Sequence, residues 1–146
     1  MPSNLVNKAK EMMQERKGSC SQAIFTTFGE YLSLGKIDYD TCMKIASPFS
    51  GGIAGTGSVC GALTGALMAL GLKYGSDADP FKINVVSRKL LDEFKSLHGT
   101  IICRELIDHD LITDEDVKHA FKTGVFKNCD KFVEDTASLL EKLLGI

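Results

Sequence analysis

Apolar residues recur along this chain at three- and four-residue intervals, the spacing of one helix face. Leu5, Val6, Ala9, Met12 and Met13 form the first such face, with Ser3 placed to cap it and Gly18 to end it. Ile24, Phe25, Phe28, Tyr31 and Leu32 form a second, between Ser19 and Gly35. A short third helix follows Asp38, carries Met43 and Ile45, and stops at Pro48. A glycine-rich loop spans Ser50 to Ser58 and leads into an apolar helix from about Ser58 to Lys73. Asp79-Pro80 reads as a cap with Pro at the first helical position, ahead of Phe81, Val85, Val86, Leu90, Phe94 and Leu97, and Gly99 ends that helix. Thr100 starts a short helix through Ile102, Cys103, Leu106 and Ile107. Thr113 with Asp116 resembles a capping box before Val117, Ala120 and Phe121. Asn128 can cap a last helix whose face is Phe132, Val133, Thr136, Ala137, Leu140, Leu143 and Leu144.

Strand signals are weak, with no sustained Val/Ile/Thr alternation and no Asn-Gly or Asp-Gly turn. The pattern predicts an all-α fold, a compact array of about eight helices forming a single domain over residues 1–146. At 146 residues the chain is long enough to bury a core without disulfide staples. Its net charge of -2 predicts no nucleic-acid partner. The run Val59 to Leu72 is shorter than the roughly 20 apolar residues of a spanning helix, so it predicts a buried helix and no membrane span. Met1 to Lys17 lacks the apolar stretch of an export signal, which predicts a cytoplasmic protein.

Five cysteines are many for a chain kept in a reducing compartment, where they serve as thiols, metal ligands or a redox pair more often than as structural disulfides. Four of them, Cys20, Cys60, Cys103 and Cys129, fall at predicted helix starts and on apolar faces. Free N–H groups and the helix dipole favour a thiolate there. Four inward sulfurs at four helix starts are expected to converge, at least two of them close enough to bridge. Cys60 has the most developed helix start and is the expected nucleophile, although burial would oppose its ionisation. Cys42 has no glycine loop before it and reads as core or spare. The bland alternative for every one of these is a small buried hydrophobe.

The cysteines lie 40, 43 and 26 positions apart, so none forms a Cys-x-x-Cys pair, and any site is assembled from remote helices. Three functions follow. A thiol–disulfide cycle or electron carrier would act on a redox partner protein or a small thiol or sulfur substrate. Alternatively, the same four cysteines would hold zinc or an iron–sulfur cluster. A non-catalytic helical interaction domain is the third reading.

The loop is neither a phosphate-binding P-loop, lacking Gly-Lys-Ser/Thr, nor a dinucleotide fingerprint, since Cys60 stands where the third glycine would. A helix start behind such a loop can hold an anion, which makes Gly55, Gly57 and Ser58 candidate cofactor contacts. The small residues Gly61, Ala62, Gly65, Ala66 and Ala69 form one helix face and predict close helix packing, and with it a neighbouring cysteine brought near Cys60. His98, His109 and His119 are expected at the surface.

The segment Cys60-Gly61-Ala62-Leu63-Thr64-Gly65 matches CGAxxG. With Gly18-Ser19-Cys20-Ser21-Gln22-Ala23 before it, Cys103-Arg104-Glu105-Leu106 after it and Cys129 later, nearly the whole chain resembles the C_GCAxxG_C_C family of redox-active proteins and selenoproteins. The resemblance implies redox chemistry at Cys20, Cys60, Cys103 and Cys129. It supplies no substrate, and Cys42 lies outside its pattern.

Overall fold

The computed structural model describes residues 3–146; Met1 and Pro2, the first residues of the polar start, lie outside it. The described residues form eight α-helices in the order α1 (Asn4–Gln14), α2 (Cys20–Leu32), α3 (Tyr39–Ala46), α4 (Gly61–Tyr74), α5 (Lys82–His98), α6 (Cys103–Leu106), α7 (Asp114–Thr123) and α8 (Cys129–Leu144). One 3-10 turn, Ser47–Phe49, follows α3 at Pro48. The all-α reading therefore holds.

The caps explain most helix starts. Ser3 accepts from the Val6 N–H, and Asp38 from that of Thr41. Ser19 and Gln22 form a full capping box at α2, as Thr113 and Asp116 do at α7. Asp79 receives the N–H groups of Phe81 and Lys82, each at 3.3 Å, so the expected cap is present while regular helix begins only at Lys82. Asn128 makes no side-chain cap. The Cys129 N–H instead donates to Phe126 O at 3.0 Å, so a backbone turn leads into α8.

The expected helix start at Ser58 is corrected to Gly61. Val59 pairs with Ile102 in an isolated antiparallel bridge, which holds this segment extended and makes Cys60 the N-cap residue of α4 (φ -50°, ψ 131°).

α2 and α4 are the central pair. A Cβ on Gly65 would lie 2.8 Å from Ser21 O, and one on Gly61 only 3.0 Å from Phe49 O and 3.3 Å from the Cys20 Cβ. Only glycine allows this approach, and it sets the start of α2 against the start of α4. α1 and α8 pack on this pair, α5 against α4 and α8, and α3 against α2. The main core holds Ile24, Phe28, Leu63, Leu70, Leu90, Phe94, Val133 and Leu140. Two smaller clusters flank it. One joins Cys103, Ile107, Leu111, Ala120 and Cys129. The other joins Phe25, Cys42 and Ala46.

Candidate functional site

Cys20 is the first residue of α2, and that helix start is fastened down. Ser21 Oγ donates to Ala46 O at 2.9 Å, and Gln22 Nε2 to Met43 O at 3.0 Å. Cys103 and Cys129 are the first residues of α6 and α8. All four expected cysteines thus stand at helix starts, and all four line one cleft of about 960 Å³. Cys42 does not line it. Its thiol lies in the separate Phe25–Ala46 cluster, 3.7 Å from Ile37 O.

The glycine loop builds one side of this cleft. Gly51, Gly52, Ile53, Ala54, Gly55 and Gly57 all have left-handed backbone, so the chain coils tightly on itself. At Gly52 a Cβ would sit 2.6 Å from Ser58 N and 2.7 Å from the Cys103 Cβ, so glycine is required to seat Cys103. Around the Val59–Ile102 bridge, Cys60 N donates to Ile101 O at 2.8 Å and Cys103 N to Ser58 O at 2.6 Å. Those bonds tie the Cys60 and Cys103 segments to each other. Gly55 lines the cleft. The N–H groups of Gly55, Gly57 and Ser58 donate to Ser50, Gly51 and Gly52 carbonyls inside the loop, so they present no free donors to an anion.

Thiol acidity differs sharply within the cleft. Cys20 and Cys129 interact thiol to thiol and titrate as a pair; that interaction draws Cys129 below the usual thiol range, against the opposing pull of burial and of Asp130. The same interaction, then burial, then the charge on Cys129 raise Cys20 well above that range. Burial pushes Cys60 up to about 12. The Ala62 and Leu63 N–H groups lower it, without closing a full cap bond on the sulfur. Cys103 is pushed up to about 11 by burial and by Cys129. Burial also raises Cys42. The expected thiolate at Cys60 is therefore corrected: burial outweighs the helix start there, and of the cleft thiols only Cys129 is drawn below the usual range.

Among the described residues, no group of three or more His, Cys, Asp or Glu side chains is gathered in a way that could hold a metal ion. The four cysteines share the cleft wall without forming a ready ligand set for zinc or a cluster.

A family model described as "Putative redox-active protein (C_GCAxxG_C_C)" matches residues 19–143. The chain belongs to this family. No curated protein and no solved structure matches it. The C_GCAxxG_C_C match takes in all four cleft cysteines and both seam glycines, Gly61 and Gly65. Among the described residues no helix is long and apolar enough to cross a membrane.

Sequence reasoning passed over three cationic residues that line the cleft, Arg16, Lys17 and Lys127. The signal for Arg16 and Lys17 was their pairing directly before Gly18-Ser19-Cys20, and Lys127 stands two residues before Cys129. The histidines divide. His119 is exposed and His109 half-buried, the two hydrogen-bonded to each other at 2.8 Å. His98 is corrected from the surface to a half-buried place. Its ring packs 4.6 Å from Phe94 and 5.0 Å from Phe132, with Nε2 2.9 Å from Asp135 Oδ2, an approach outside hydrogen-bond geometry.

Proposed function

We propose that the protein is a thiol–disulfide oxidoreductase in which Cys129 attacks and Cys20 resolves. The observation that carries this reading is that Cys20 and Cys129, at the starts of α2 and α8, line one cleft with the other two family cysteines, their thiols close enough to titrate as a pair. Attack needs a thiolate, and a resolving thiol must stand beside the mixed disulfide it will break.

The Cys129 thiolate attacks one sulfur of a substrate disulfide. The substrate S–S bond breaks, a Cys129–substrate disulfide forms, and the first substrate sulfur leaves as a thiolate that takes a proton from water. Cys20 then attacks the Cys129 sulfur and passes its own proton to the second departing sulfur. Two electrons have moved from the protein dithiol to the substrate, leaving a Cys20–Cys129 disulfide and two substrate thiols. A reducing dithiol returns the protein to its starting state by the reverse exchange. Cys60 and Cys103, protonated near neutral pH and tied together through the loop bridge, form a second dithiol in the same cleft. The cleft volume suits a small thiol or disulfide. A cytoplasm that keeps thiols reduced is the compartment this cycle fits.

The test is to treat reduced protein with a slight excess of a small disulfide, quench with acid and map the bonds by peptide mass spectrometry. The expected product is Cys20–Cys129, and Cys20→Ser should accumulate a mixed disulfide on Cys129. A bridge that never includes Cys129 overturns the proposal. So does anaerobically purified protein in which all four cleft cysteines hold a stoichiometric metal.

A further inference from the structure

The wall of the cleft carries a charge that the chain as a whole does not. The protein has net charge -2, yet Arg16, Lys17 and Lys127 line the cleft against a single acid, Asp130. Lys17 is paired to Glu15 at 2.8 Å, and Asp130 accepts from Lys131 N at 2.9 Å and Gln14 Nε2 at 3.4 Å. Among the described residues, neither Arg16 nor Lys127 has a carboxylate partner.

Arg16 also occupies a place that helices usually give to glycine. It follows the C-cap of α1 with φ 56°, and the Arg16 and Lys17 N–H groups close back on Met13 O and Met12 O at 3.1 and 2.9 Å. A guanidinium therefore projects from a left-handed turn directly before the Cys20 segment. The same cleft is lined by Leu111, Val117, Phe121 and Phe126, from α7 and the turns around it, an apolar surface for a ligand's carbon skeleton.

We propose that the cleft takes a small disulfide, or its thiol, bearing carboxylate or phosphate, with the anionic end held by Arg16 and Lys127 and the sulfur end presented to Cys129. This rests on the thiol–disulfide reading above and names the substrate class of that same site. Two cations at a partly apolar cleft raise the local concentration of an anion and speed its arrival. They also oppose a repulsion intrinsic to the chemistry, because a bare thiolate reacts more slowly with an anionic disulfide than with a neutral or cationic one of similar reactivity.

The experiment compares second-order rates of Cys129 modification in reduced protein. Four disulfide probes serve: glutathione disulfide (carboxylates), coenzyme A disulfide (phosphates), bis(2-hydroxyethyl) disulfide (neutral) and cystamine (cationic). At least one anionic probe should outpace the neutral one by about tenfold or more at low salt, with the advantage shrinking as salt is added. Whichever anionic probe is faster distinguishes carboxylate from phosphate recognition. Arg16→Gln with Lys127→Gln should bring the anionic-to-neutral ratio to one or below, while Lys89→Gln, on the exposed side of α5, should keep it. An ordering of cationic over neutral over anionic in the unaltered protein overturns this inference, as does a ratio that survives the double substitution. In both cases neutral-probe modification of Cys129 leaves the thiol–disulfide reading standing; if no probe modifies Cys129, both readings fall.

Discussion

Cys60 and Cys129 open their helices in similar ways and differ in chemistry. Each is buried, each stands at the start of a long helix, and each lines the same cleft. Cys60 is pushed up to about 12, whereas Cys129 is drawn below the ordinary thiol range. The difference lies in what meets the sulfur. At Cys60 the Ala62 and Leu63 N–H groups pull toward the thiolate, and burial pulls harder. At Cys129 the interaction with the neighbouring Cys20 thiol outweighs both burial and Asp130. A helix N-terminus alone does not make a thiolate in a dry setting; a neighbouring thiol tips the balance.

The largest expected effect breaks the comparison outright. Cys129→Ser should slow the first disulfide exchange by about 100-fold or more, because a hydroxyl is not a nucleophile near neutral pH, while Cys60→Ser should stay within about threefold of the unaltered protein. Comparable losses for both, measured by quenched exchange with a neutral disulfide, would remove the distinction.

The seam that brings Cys20 to the cleft gives the next effect. Gly65→Ala places a methyl 2.8 Å from Ser21 O and should cost about 1–3 kcal/mol in urea unfolding. Gly71→Ala, on the same helix, meets nothing within 4 Å and should gain about 0.5–1 kcal/mol. Equal changes at both positions would mean the helices are not in close backbone contact.

These two glycines also mark how far the sequence could be read. Apolar periodicity and caps such as Ser3, Ser19 and Asp38 were enough to place the helices, because helix formation depends on local residues. That the four cysteines would line one cleft was also legible, since helix start and apolar face together confine a sulfur. Which sulfur ionises was not legible. Acidity depends on the Cys20–Cys129 meeting, made by residues more than a hundred positions apart. The start of α4 was misplaced for the same reason, since Ile102 draws Val59 out of the helix. Cys42 was read correctly as core because nothing beside it needed a remote partner.

A smaller effect separates hydrogen bonding from resolution. Cys20→Ala removes the neighbouring thiol and should raise the pH at which Cys129 reacts. Cys20→Ser keeps an O–H donor and should hold that pH lower, though neither variant can close the disulfide. Identical profiles for the two would show that donation by residue 20 does not set the acidity of Cys129.

The gentlest test is the alkaline limb of stability. Cys60 and Cys103 keep their protons in the folded state to about 12 and 11, whereas unfolded thiols release theirs from about 8.5. Above that pH the unfolded chain binds fewer protons than the native one, so stability should fall as pH rises from about 8.5 toward 11–12. Replacing both by Ser should flatten that slope in urea titrations, and an unchanged slope would contradict their raised pKa values.

The central claim is that Cys129, with Cys20 beside it, is the reactive thiolate of the cleft. Site-resolved alkylation against pH, on reduced and metal-free protein, tests it most directly. The account predicts that Cys129 labels first, with its midpoint below that of an ordinary thiol, and that Cys20, Cys60 and Cys103 follow only at higher pH. Cys60 labelling first, or Cys129 labelling no faster than Cys42 at every pH, would contradict it.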